Sequence, residues 1–249
     1  MHISLAAEPI FHFLGFPVTN SVLLSWLVFL ALVLLAISVS SKIKLIPGSF
    51  QNFLEAVIEP FYDLVKMVAG EKASQIFPLV TTFFIFIILC NWVGLIPGVG
   101  SIGFWEEKEG EKILIPFLRG ATADLNMTLA LALISVGAIQ YFGIKSLRLS
   151  YFKRFFNLSN PIDFFVGILE LISDFAKIIS FSFRLFGNIF AGEVLLTVTA
   201  FLVPILAPLP FYGLELFVGF IQALVFAMLT LVFINVAAFS HGEEVKHGP

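Results

Sequence analysis

The chain has 249 residues, of which 59% are hydrophobic and 12% charged, with a formal net charge of −3. A soluble domain of this length carries about twice that share of charge, and the mean hydropathy here is +1.02. The balance excludes a soluble globular domain and points to an all-α polytopic membrane protein with several apolar runs of about 18 residues or more.

The alternating pattern of an outer-membrane barrel is missing. One cysteine, Cys90, lies in an apolar run, so no disulfide or thiol metal site can form within the chain. Residues 1–18 hold His2, Glu8 and His12 without Lys or Arg, and no cleavable signal peptide is expected there. The first predicted span covers 19–41, and Lys42 and Lys44 follow it at once. Basic residues after the span and none before it place the N-terminus outside.

Residues 49–70 differ in kind. Phe50, Phe53, Leu54, Val57, Ile58, Phe61, Leu64, Val65 and Val68 recur at three and four, while Gln51, Asn52, Glu55, Glu59, Asp63 and Lys66 take the opposite face. That pattern is an amphipathic helix lying in the inner interface, or one packed on another subunit. The second span is predicted at 77–97. The loop 98–122 holds Glu106, Glu107, Glu109 and Glu111 beside Lys108, Lys112 and Arg119, and its acidity suits the outer side. A third span follows at 123–144. Lys145, Arg148, Lys153 and Arg154 then mark a basic inner segment, and Asn160 with Pro161 reads as a helix start.

From 161 to 203 the helical pattern runs on for about twice the thickness of a bilayer core. It is either two helices or one long tilted helix, and the absence of an internal Pro between Pro161 and Pro204 favours the second. This stretch carries Asp163, Glu170, Asp174, Lys177, Arg184 and Glu193. Each charge at a bilayer centre costs at least ~2.5–3.5 kcal/mol, so the set marks a candidate site. Asp163, Glu170, Lys177 and Arg184 fall seven apart and form one stripe. Asp174 and Lys177 have the spacing of a simple side-chain pair.

Pro204, Pro208 and Pro210 mark a turn, and a final helix at 209–241 returns to a polar, inner C-terminus. About five membrane-embedded helices result, the last two forming a long tilted antiparallel hairpin. In such a hairpin Arg184 meets Gln222, and Glu193 meets Glu215 nearer the outside. An outer acidic pair, a central arginine and inner Glu170 and Ser173 describe two aqueous half-paths separated by a fixed positive charge. No second copy of the stripe exists, which argues against a self-contained secondary transporter or channel built on inverted repeats.

FRLFGNIFAGE (183–193), IQALVF (221–226) and TADLNMTLAL (122–131) together closely resemble subunit a of bacterial-type F-type ATP synthases, over essentially the whole chain. The resemblance implies a non-catalytic stator subunit that couples H⁺ or Na⁺ flow to rotation of a ring of c subunits. It implies that Arg184 is the essential arginine, with Gln222 its polar partner and Asn188 the asparagine one turn beyond. The outer half-channel maps to Asp124, Asn126, Glu193 and Glu215, and the inner one to Glu170 and Ser173. Asp124 and Asn126 also begin a helix, so capping is their competing role. Many members carry His where this chain has Glu215, and two close carboxylates titrate as a coupled pair. Peripheral-stalk b subunits and the lipid bilayer of a cell inner membrane are the other implied partners. No cofactor, metal or nucleic acid is expected.

Overall fold

The computed structural model describes residues 7–13, 15–41, 43–108, 111–148, 151–152, 155, 161–204 and 206–239. His2, Lys42, Glu109, Lys153, Arg154, the helix start at Asn160 and the polar tail lie outside the described residues. The chain is an all-α polytopic membrane protein, with five helical runs long and apolar enough to cross a membrane.

Helix α1 (Asn20–Ser40) begins at Thr19, whose hydroxyl accepts from the backbone N–H of Val22 at 3.4 Å. Beyond Ser25 it is apolar on almost every side, and much of that surface is exposed. Helix α2 (Ser49–Ala69) buries Phe61, Val65 and Ala69. The ring of Phe61 stacks on Phe84 with centroids 4.8 Å apart. Phe50, Phe53, Val57 and Ile58 of the same apolar face stay exposed. That half of the face is free for an interface. A 3-10 turn at Gly70–Lys72 leads to α3 (Ala73–Gly94), then α4 (Leu125–Leu147), α5 (Pro161–Leu202) and α6 (Pro208–Phe239).

Two features go beyond the sequence pattern. Strands β1 (Pro9–Phe13) and β2 (Phe16–Thr19) form one antiparallel hairpin, and β3 (Gly103–Lys108) and β4 (Glu111–Pro116) form another. Both lie at one end of the bundle, where Asn20 Nδ2 donates to the carbonyl of Pro116 at 3.4 Å. The opposite end carries α2 and the bonds from Lys72 to Ser146 and from Ser146 to the carbonyl of Ala238.

Helix α6 runs through the middle, against α3, α4 and α5. Its inward line is small and apolar: Ala223, Ala227, Leu231 and Ile234 are all 0% exposed. Without a hydrophobic force between helices in lipid, close packing and hydrogen bonds hold such a bundle, each bond worth ~0.6 kcal/mol on average. Ser135 and Thr230 share a hydrogen bond at 2.7 Å between α4 and α6, and Thr128 and Ser182 share one at 3.2 Å between α4 and α5. Helix α5 is one uninterrupted helix of 42 residues, about 63 Å long. It packs on α4 and α6 along one side and leaves the other bare.

Candidate functional site

The bare side of α5 carries the arginine. Arg184 is exposed, and so are Ser173, Ser180 and Asn188 at helical spacing along the same face. Its Nη2 donates to Ser180 Oγ at 3.1 Å, and its Cζ lies 6.0 Å from the centre of the Phe181 ring. Among the described residues no carboxylate pairs with it. On the inward side, Gln222 Nε2 of α6 donates to the backbone carbonyl of Arg184 at 3.0 Å. That bond sits mid-helix, where the carbonyl already accepts within its own helix. Gln222 is buried at 6% exposure, so the amide fixes the depth of α6 against α5 and leaves the guanidinium free.

Two turns further along α5, towards the hairpin end, the acids are arranged differently from a carboxylate pair. Glu215 is buried at 5% exposure and its carboxylate lies directly over Gly192, where even a Cβ has no room. Oε1 of Glu215 has no hydrogen-bond partner among the described residues. Glu193 turns to Arg119 instead. Arg119 Nε donates to its two carboxylate oxygens at 3.2 and 3.3 Å, and Nη2 donates to Oε2 at 3.1 Å. The arginine side chain is 7% exposed and the glutamate 38%. The guanidinium also lies 5.9 Å from the centre of the Phe190 ring. A forked donor gripping both oxygens is the geometry for which arginine is suited.

Glu193 and Arg119 line a cavity of about 250 Å³ with Asn91, Ser101, Thr197 and Tyr212. It is polar and roomy enough for several waters. Neighbouring contacts fix its walls. Asn91 accepts from Thr122 Oγ1 at 2.5 Å and donates to the carbonyl of Gly219 at 2.8 Å, while Trp92 Nε1 donates to the carbonyl of Leu216 at 3.1 Å. The last two bonds tie α3 to the turn of α6 that carries Glu215.

Asp124 is the N-cap of α4. Its carboxylate accepts from the backbone N–H of Asn126 at 3.0 Å and from Ser21 Oγ at 2.7 Å, facing α1. Asn126 is exposed beside it, and neither residue lines the cavity.

On the other side of Arg184, Ser173 is exposed and Glu170 half-buried. Asp174 and Lys177 do form a pair, with Nζ 2.6 Å from Oδ1. The pair belongs to a larger network. Gln140 Nε2 donates to Asp174 Oδ2 at 2.7 Å, and Tyr151 Oη donates to Gln140 Oε1 at 2.6 Å.

Arg119, Asn91, Thr122, Gln140 and Tyr151 are residues that sequence reasoning does not single out. Arg119 reads as one loop charge among several, although it directly precedes the GATADLN run. Its burial beside an acid on another helix is a tertiary fact with no periodic signature.

A model of the family described as ATP synthase A chain matches residues 22–235. The matched stretch contains Arg184, Gln222, Asn188, both glutamates and every other candidate residue.

Proposed function

The chain belongs to the ATP synthase A chain family, whose members are membrane subunits serving proton passage in that enzyme's membrane sector, and from that membership we propose two offset half-channels that meet at Arg184. One opens at the hairpin end and uses Glu193, Glu215, Asp124 and Asn126. The other opens at the α2 end and uses Glu170 and Ser173. The exposed face of α5 stands against a ring of c subunits, and the peripheral-stalk b subunits hold the chain in place. The hairpin end is the outer side of a cell inner membrane, with the C-terminus in the cytoplasm. The subunit carries out no catalysis itself.

One observation carries this reading. Arg184 is exposed on a helix long and apolar enough to cross a membrane and has no acid partner among the described residues. A guanidinium stays protonated at any working pH and presents five donors. Leaving it bare in lipid costs several kcal/mol, so its partner must come from outside the chain. A carboxylate on a passing ring subunit is such a partner. It loses its ion on reaching Arg184 and regains one on leaving, and the fixed positive charge keeps ions from crossing directly between the half-channels. Each charge that completes the journey releases ~2.3 kcal/mol per 100 mV, which is delivered as rotation.

The cavity at Glu193 gives this path an entrance, and Asp124 serves it from its cap position by holding the end of α4 against α1. The test is Arg184→Ala in inverted membrane vesicles. ATP-driven proton uptake should be lost, and a passive leak should appear when the ring is present. Normal coupled pumping by that variant would overturn the reading.

A further inference from the structure

The two cations of α5 lie on one line and are held in opposite ways. Lys177 precedes Arg184 by seven residues, about two turns, and shares the face of exposed Ser173 and Ser180. Yet its side chain is only 16% exposed. Its Nζ donates to Asp174 Oδ1 at 2.6 Å and lies 4.8 Å from the centre of the Phe233 ring on α6. Asp174 is itself 7% exposed and held by Gln140, which is held by Tyr151. Tyr151 is 1% exposed, its ring pressed on Gly143 where no Cβ would fit. The ammonium is therefore the last link of a chain anchored in α4 and in the segment beyond it.

We infer that Asp174 is a positioning residue that keeps Lys177 off the exposed face of α5, so that Arg184 is the only cation of that helix a ring carboxylate meets. The inference rests on the ring-facing reading of the Arg184 face. Lysine is a compact charge on a flexible four-carbon stem. Released, it would reach the same face about 10 Å before Arg184. There it would pair with a deprotonated ring carboxylate and hold it, because a desolvated ion pair is slow to part. Asp174 and the Phe233 ring together give the ammonium a better place to be.

The experiment measures ATP-driven proton pumping per assembled complex in inverted vesicles. Asp174→Asn preserves the size of the side chain and its bond from Gln140 but removes the charge that retains Lys177. It should assemble in normal amount and turn over more slowly by about threefold or more, and adding Lys177→Gln should restore the rate to within about twofold, as coupled neighbours do. A purely structural pair would instead lower the amount of complex without slowing each one. Ser173→Lys, compared with Ser173→Gln, adds a free ammonium to the exposed face while leaving the network intact. It should slow turnover like Asp174→Asn, and it decides the matter if that variant fails to assemble.

Wild-type turnover of Asp174→Asn, no recovery in the double variant, or equal rates for the two Ser173 variants would each overturn the inference. Arg184→Ala in the same membranes separates the levels. If it pumps normally, the ring-facing reading itself falls. If it is dead while Asp174→Asn is normal, only the role of Asp174 falls.

Discussion

Gly192 has no side chain where Glu215 needs the space. The carboxylate of Glu215 sits so close to the Gly192 backbone that a methyl group there would displace it. Overpacking of this kind costs ~1–3 kcal/mol. Gly192→Ala should therefore lower the thermal stability of the detergent-solubilised complex by that order, and Glu215→Ser in the same chain should recover most of it. Failure of the second change to help would mean that the two residues do not meet. The neighbouring acid behaves differently. Glu193 is 38% exposed while its partner Arg119 is 7% exposed. Removing Arg119 therefore costs something between the ~0–1 kcal/mol of an exposed pair and the ~3–5 kcal/mol of a buried one. Glu193→Gln should reduce proton-driven ATP synthesis, yet vesicles carrying it should hold a proton gradient as well as wild type, since Arg184 is untouched. A large leak there would remove Glu193 from the outer path.

At the scale of helices, the α5–α6 hairpin fixes which polar groups meet. Gln222 reaches the carbonyl of Arg184, so the two side chains leave their helices at one depth and line the same small pocket. If the position of the charge matters more than the helix that supplies it, exchanging the two should retain part of the function. Arg184→Gln with Gln222→Arg should show proton uptake above either single variant and below wild type. A double variant as inactive as Arg184→Gln alone would show that the guanidinium must issue from α5.

This meeting is legible in the sequence alone, because antiparallel helices around a Pro-rich turn pair residues at equal distances from it. The continuity of α5 is legible for a similar reason: nothing between Pro161 and Pro204 breaks a helix. Arg119 is not legible, since a loop has no period and its partner lies 74 residues away. Nor is the link from Tyr151 through Gln140 to Asp174, where three short-range choices depend on how two helices and a segment dock. The hairpins at Pro9–Thr19 and Gly103–Pro116 escape a sequence reading because their strands are short, the first lacking polar alternation and the second interrupted by charge.

Across the whole molecule the polar groups divide into two sets, with Arg184 between them. Glu193, Arg119 and their cavity belong to the hairpin end, together with Asp124 and exposed Asn126. Ser173 and Glu170 lie on the far side of Arg184, towards the end that carries α2. Charged and exposed polar groups on either side of Arg184 suit the proposed exchange of ions between carriers halfway. If the groups instead formed one continuous channel, reagents entering at either end would reach both sets. Cys90 is buried and is the chain's single cysteine, so Cys90→Ala provides a clean background for introduced thiols. On that background, cysteines at Asn126 and Glu193 should react with a membrane-impermeant thiol reagent added outside intact cells. Cysteines at Ser173 and Glu170 should react only in inverted vesicles, where the cytoplasmic face is open. Arg184 should keep the two patterns apart, and Arg184→Ala should let them overlap. Labelling of all four positions from one side in the presence of Arg184 would mean a through-pore, and the two half-channels would have to be abandoned.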